Sequence, residues 1–253
     1  MTLFRQVFGE GQPLIILHGL FGSGDNWLTH ARLLSDRYRV FLVDQRNHGR
    51  SPHHPDMSYP HMAADVIGLM AEEGLRDVIL VGHSMGGKTA MHVAREFPHL
   101  LDRLVVVDMG IKAYPPHHDR IFEGLFAAHA ETASSRSEVQ SRLAPFVDDP
   151  ATLQFLMKNV YWTEPGKLAW RFNLPVLRNS IQHILAAIPD EPVVHTPTLF
   201  MRGALSGYIR EEDYRAITAI FPDSVFTVLE GAGHWPHAEV PERFLEELRK
   251  FID

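Results

Sequence analysis

The chain has 253 residues, 45% of them hydrophobic and 22% charged, with a formal net charge of -7. That balance describes a globular protein long enough for a large core, or a core with a small subdomain, and an acidic chain without a Lys/Arg cluster has no basic field for nucleic acid or an anionic membrane. Cysteine is absent, which removes disulfides, thiolate catalysis and Cys-based zinc sites together.

The stretch Met1 to Glu10 lacks a basic segment followed by an apolar run, and no later stretch reaches transmembrane length. The expectation is therefore no secretory signal, no membrane partner and a cytoplasmic location. The 16 histidines are scattered. The pairs His53-His54 and His117-His118 sit in Pro-containing loops outside any His-Glu-x-x-His pattern, so no metal site is expected.

Leu3 to Phe8 alternates like an edge strand, and Leu14 to Leu17 is a continuous apolar strand ending in His18-Gly19-Leu20-Phe21-Gly22-Ser23. Runs that are apolar on both faces belong to parallel sheets covered by helices. Trp27, Ala31 and Leu34 have helical spacing, and Val40 to Val43 is the next buried strand, closing in Asp44-Gln45-Arg46-Asn47-His48-Gly49. That closing segment reads as a structural turn. A helix over 62–70 follows, then Val78 to Val81 runs into Gly82-His83-Ser84-Met85-Gly86 and a second helical stretch. Leu104 to Val107 ends on Asp108. Strand and helix alternate, which predicts an α/β fold with a doubly wound, mostly parallel sheet and a site at the carboxyl ends of its strands.

From about 114 to 192 no apolar β run is found, while 121–130, 138–143, 152–160 and 174–185 carry helical periodicity. The reading is a helical cap over 114–192 inserted into a core formed by 1–113 and 193–253. Thr198 to Met201 resumes the sheet, Val225 to Leu229 is its last strand, and 241–252 closes as an amphipathic helix.

Gly-x-Ser-x-Gly between a strand and a helix is the context of a nucleophile elbow, in which the serine is held on a sharp bend above the sheet edge. Ser84 is the candidate nucleophile. A serine hydroxyl needs a neutral base to take its proton and a third group to orient that base. His234, in the glycine-flanked loop Glu230 to Trp235 after the last strand, is the candidate base, with His237 the alternative. Asp108 is the preferred acid. The other choice is Asp213, but Glu211, Glu212 and Asp213 read as the first turn of a helix, where the dipole alone accounts for acidic residues. Backbone N–H groups of Met85 and of either Leu20 or Phe21 are candidate oxyanion donors. His18 reads as a brace for its loop. Phe155, Trp162, Trp170, Phe172 and Trp235 are candidate walls of a substrate pocket.

Taken together, His18 to Ser23, Asp44 to Ser51, Gly82 to Lys88, Trp170-Arg171-Phe172-Asn173 and Gly231 to Trp235 resemble the α/β-hydrolase superfamily, particularly its YbfF-like esterases. The resemblance implies hydrolysis of carboxylic esters and thioesters, acyl-CoA among them, beneath a small helical cap. It implies Ser84, Asp108 and His234 as a triad, a small-molecule acyl substrate as partner, and no cofactor. The commoner superfamily pattern has a carboxylate after the later strand; this chain has Arg202-Gly203-Ala204-Leu205-Ser206-Gly207-Tyr208 there, a departure shared with the subgroup. A perhydrolase or haloperoxidase-like activity would use the same triad, although its usual oxyanion loop has Pro where this chain has Phe21. A ligand sensor on the same scaffold would bind without repeated turnover.

Overall fold

The computed structural model describes residues 1–253. Its nine strands are β1 (Arg5–Phe8), β2 (Gln12–Leu17), β3 (Tyr38–Val43), β4 (Val78–His83), β5 (Leu101–Val107), β6 (Val160–Glu164), β7 (Lys167–Trp170), β8 (Thr198–Gly203) and β9 (Ser224–Leu229). Seven of them form one sheet in the order β1-β3-β2-β4-β5-β8-β9. The edge strand β1 is antiparallel to β3, and every other pairing in that sheet is parallel.

The continuous apolar runs reflect two cores, one on each face of the sheet. Because side chains alternate along a strand, Ile15 and Leu17 of β2 join Leu80, Val106 and Phe200 in one cluster, under the helices Tyr59–Glu73 and Met85–Glu96. Leu14 and Ile16 join Val81, Val105 and Met201 in the other, beneath Leu28–Leu34 and Pro241–Ile252. A single polar residue on either face of these strands would face hydrocarbon, so both faces must be apolar.

A third cluster lies between β5 and β8 in sequence and above the sheet's carboxyl edge in space. It is built on helices Asp119–Ala127, Arg136–Leu143, Pro150–Met157, Leu174–Asn179 and Ile181–Leu185, and it takes in Phe21, Tyr59 and Met85 of the sheet domain. Two features differ from the all-helical expectation. The insertion contains an antiparallel hairpin, β6 with β7, turning at Gly166 with φ +82°. The expected 152–160 helix is Pro150–Met157, so that Val160 begins a strand, and 174–185 is two helices broken at Ser180. The Pro165-Gly166 pair is the local turn signal for the hairpin, and the polar faces of its short strands hide the β pattern. No helix is long and apolar enough to cross a membrane.

Candidate active site

Ser84 follows β4 and immediately precedes the helix Met85–Glu96, with φ 53° and ψ -118°, a conformation rare for a residue with a side chain. The flanking glycines make that bend possible by allowing backbone to pass at close range. A Cβ on Gly82 would lie 2.2 Å from Gly86 O, and one on Gly86 would lie 2.4 Å from Leu17 O. The bend itself is held by Ser84 N–H donating to Val107 O at 3.0 Å.

Three side chains from distant positions meet at this rim. Ser84 Oγ is 3.0 Å from His234 Nε2, and His234 Nδ1 is 2.7 Å from Asp108 Oδ2. Since a carboxylate only accepts, the proton of His234 is on Nδ1, which leaves Nε2 unprotonated and able to accept from the Ser84 hydroxyl. Asp108 is fully buried. Besides His234 it accepts from Gly203 N–H at 3.1 Å on Oδ1 and from Ser206 Oγ–H at 2.5 Å on Oδ2. The loop after β8 therefore supplies the carboxylate with donors instead of supplying a carboxylate. Asp213 is elsewhere: its Oδ2 accepts from Lys112 Nζ at 2.6 Å and from Arg210 N–H at 2.8 Å. His237 is buried and stacked on Trp27 with ring centroids 4.0 Å apart, and it makes no hydrogen bond to Ser84, whose hydroxyl meets His234 instead.

The two loops beside Ser84 hold backbone donors. Neither Met85 N–H nor Leu20 N–H donates to any acceptor within the protein. Phe21 N–H does: it donates to His48 Nε2 at 3.2 Å, with Phe21 at φ 61°. Leu20, rather than Phe21, is thereby the residue with an N–H to offer. His48 Nδ1–H donates to Arg46 O at 3.0 Å, and His18 donates to Gly19 O while accepting from Gln45 N–H at 3.0 Å. Both rings are neutral, because burial lowers the pKa of His18 to about 4 and of His48 to about 3. They fasten the Leu20 loop to the turn after β3, where Asp44 accepts from Gly24 N–H and Arg50 N–H.

In front of Ser84 lies a cavity of about 260 Å³, roofed by the cap and open on one side. No Asp, Glu, Lys or Arg is among its lining residues. Phe155 and Trp235 line it, with ring centroids 5.7 Å apart. Three aromatic residues expected in its wall are outside it. Trp162 is 47% exposed on the hairpin, because β6 turns that face to solvent. Phe172 packs behind Phe21 at 5.2 Å, and Trp170 stacks on Phe172 at 5.3 Å, so both border a separate groove on the cap's outer side. Helical and strand periodicity does not tell which of these residues face solvent, the cavity or the far side of the cap.

Residues that motif reasoning does not single out complete the site. Tyr208 stacks on the His234 ring with centroids 4.0 Å apart, and Tyr114 Oη–H donates to Tyr208 O at 2.7 Å. Ser206 and Tyr208 lie in the loop where the commoner superfamily pattern has its carboxylate, which is the one signal that could have found them. No group of three or more His, Asp and Glu side chains is placed to hold a metal ion.

A family model of the alpha/beta hydrolase fold matches residues 12–241. The chain belongs to the α/β-hydrolase family. It is 34% identical to the esterase YbfF of Escherichia coli, across 96% of this chain and 94% of that one. It is 38% identical to a Xenopus laevis protein described as the sn-1-specific diacylglycerol lipase ABHD11, across 96% of this chain and 80% of that one. Among solved structures, a marine microorganism esterase is 40% identical and superposes with a TM-score of 0.97, covering all of both chains. In this α/β-hydrolase the elbow, the base loop and the insertion between β5 and β8 all lie inside the matched span.

Proposed function

We propose that this α/β-hydrolase is a serine esterase that cleaves neutral esters of apolar acyl groups through an acyl-enzyme on Ser84. The observation that carries the reading is the unbroken relay from Ser84 Oγ through His234 to Asp108, at 3.0 and 2.7 Å. Similarity to an esterase and to a diacylglycerol lipase supports ester chemistry from an independent side.

As Ser84 Oγ attacks the acyl carbon, its proton passes to His234 Nε2, and Asp108 stabilises the imidazolium that forms. Negative charge develops on the carbonyl oxygen, and the unpaired N–H groups of Met85 and Leu20 are the donors available to it. The helix that starts at Met85 adds its positive end to the same place. His234 returns the proton to the departing alkoxide, giving the alcohol and the acyl-enzyme. Water then gives a proton to His234 as its oxygen attacks the acyl carbon, and the same proton returns to Ser84 Oγ as the carboxylic acid leaves.

The choice of a neutral oxygen ester over a CoA thioester rests on the cavity lining, which has no Lys or Arg to meet phosphate groups. The test is a panel of p-nitrophenyl acyl esters, monoacyl and diacyl glycerols and acyl-CoA compared by kcat/KM. Repeated turnover of the esters, lost in Ser84→Ala, together with fluorophosphonate labelling confined to Ser84, is the expected result. A single burst with no turnover would favour a ligand sensor, and a preference for acyl-CoA would overturn the substrate assignment.

A further inference from the structure

The residue before the nucleophile does something that the relay does not require. His83 is the last residue of β4, it is buried, and its Nε2 lies 2.7 Å from the backbone carbonyl oxygen of His234. A carbonyl only accepts, so the proton of His83 is on Nε2 and is donated to that oxygen. We propose that His83 is a positioning residue: it fastens the peptide of the base to the peptide of the nucleophile and so sets the gap between Ser84 Oγ and His234 Nε2. This rests on the reading of Ser84 and His234 as nucleophile and base.

The topology of the bonds carries the inference. His83 and Ser84 are joined by a peptide bond, Ser84 Oγ meets the His234 ring, and His234 O meets the His83 ring. These links close a small cycle, and no displacement of the base loop along the sheet edge can leave all of them intact. The loop needs such a fastening. Gly231 has φ +78°, and of the segment Gly231 to Gly233 only Ala232 has a side chain, the single methyl that packs into the core. Ala232 O accepts from Leu205 N–H at 2.9 Å, and nearer the base the exposed Glu239 carboxylate accepts from Gly233 N–H at 2.5 Å and Trp235 N–H at 2.9 Å on the outside. Water competes with the grip of Glu239, whereas His83 donates from the interior.

The surroundings fit a fixed neutral ring. His83 packs edge-on against His237 with centroids 4.7 Å apart and lies 4.9 Å from the His234 ring. A Cβ on Gly19 would come within 3.0 Å of His83 Nδ1 and 3.2 Å of Ser84 Cβ, so glycine there makes room for both side chains at once. Burial holds the pKa of His83 well below the ordinary value, which keeps the ring from competing for charge with His234. A side chain needed only to fill space would not require a donor aimed at that carbonyl.

The experiment compares His83→Leu, His83→Gln and Ser84→Ala in the full chain. It measures kcat and KM on a p-nitrophenyl ester, the rate of fluorophosphonate inactivation, and the melting temperature. His83→Leu should lower kcat by about 10- to 100-fold, the cost of misplacing a reacting group by a fraction of an ångström to an ångström. KM should move by no more than about 2-fold, because substrate contacts are untouched. His83→Gln keeps a side-chain N–H and should recover most of the loss, and fluorophosphonate inactivation should follow kcat. Native kcat in a folded His83→Leu, or a His83→Gln no faster than His83→Leu, overturns the proposal. Should His83→Leu fail to fold, His83→Gln against the shorter His83→Asn replaces it, and equal kcat in that pair overturns it. Turnover by Ser84→Ala would instead remove the esterase reading, whatever His83 does.

Discussion

Replacing Asp108 with Asn tests the acid assignment most sharply, because the three hydrogen bonds to its carboxylate dictate how the amide must sit. Oδ1 accepts from Gly203 N–H, and Oδ2 accepts from both His234 and Ser206. If the amide oxygen takes the Oδ2 position, its NH2 faces Gly203 N–H, donor against donor, in a fully buried site. That clash costs about 1–3 kcal/mol, a bias of about 5- to 150-fold against this orientation. In the opposite orientation the amide oxygen satisfies Gly203, Ser206 turns to accept, and the NH2 donates to His234 Nδ1. All three contacts are then made, but His234 carries its proton on Nε2 and has no lone pair for Ser84. The structure thus selects the unproductive tautomer, and kcat should fall by about a thousand- to ten-thousand-fold with KM little changed. Stopped and steady-state hydrolysis of a p-nitrophenyl ester reads this directly. Asp213→Asn, which loosens only Lys112 and Arg210, serves as the comparison. A loss of less than about 10-fold in Asp108→Asn, or a larger loss in Asp213→Asn, would refute the reasoning.

Burial lowers the pKa of His18 and His30 from 6.5 to about 4, so the unfolded chain binds protons that the folded chain refuses. Stability should therefore fall as pH drops from 6.5 towards 4, with a shallower fall in His30→Phe, and a melting temperature constant across that window would count against it. Phe155→Ala, which opens the cavity wall, should lower kcat/KM for long acyl chains by about 10-fold while leaving acetate esters little affected. Trp162→Ala on the exposed hairpin should change neither, and equal losses in the two variants would reverse their placement. Lys88 is fully buried, donates to Lys112 O and Ala186 O at the two crossings into the cap, and has its pKa lowered from 10.5 to about 7 by burial. The unfolded chain then binds the extra proton between those values, so the native protein should gain stability over Lys88→Met as pH rises from 7 to 10.5. A difference in melting temperature that does not shift in this direction with pH would count against a lowered pKa at Lys88.

The strands from β2 to β5 were legible because each must be apolar on both faces, and a continuous apolar run of that length bounded by turns fits little else than a strand covered by helices. Ser84 was legible for a local reason as well: the bend that presents its hydroxyl needs glycine at 82 and 86, and glycine is visible in a sequence. Asp108 emerged only by elimination, from a loop after β8 without a carboxylate. Ser206, Tyr208 and His83 escaped because their contribution depends on contacts between segments far apart in the chain; for Ser206 and Tyr208 the only local mark is a loop without its usual carboxylate. The aromatic residues of the cap show the same limit. Phe155, Trp162, Trp170 and Phe172 look alike along the sequence, yet one lines the cavity, one faces solvent and two stack behind Phe21.

With Asp108 as the proposed acid, its place at the end of β5 has a structural consequence for the cap. β5 and β8 are neighbours, with Val107 opposite Met201, and Asp108 N–H donates to Met201 O at 2.7 Å. To aim its carboxylate across β8 towards His234, Asp108 adopts φ 48°, a conformation that costs on the order of 1 kcal/mol or more for a non-glycine residue. The chain leaves the sheet for the cap in that same turn. Gly110 N–H donates to Tyr114 Oη, Tyr114 Oη–H donates to Tyr208 O, and Tyr208 stacks on His234. The first crossing into the cap is therefore braced against the loop that supplies Asp108 with its donors and covers His234. Where the acid comes from the loop after β8, the turn that positions it and the root of a cap inserted after β5 are separate pieces of chain. Here they are one, so a change at the root of the cap acts on the hydrogen bonds of the carboxylate before it acts on the shape of the cavity.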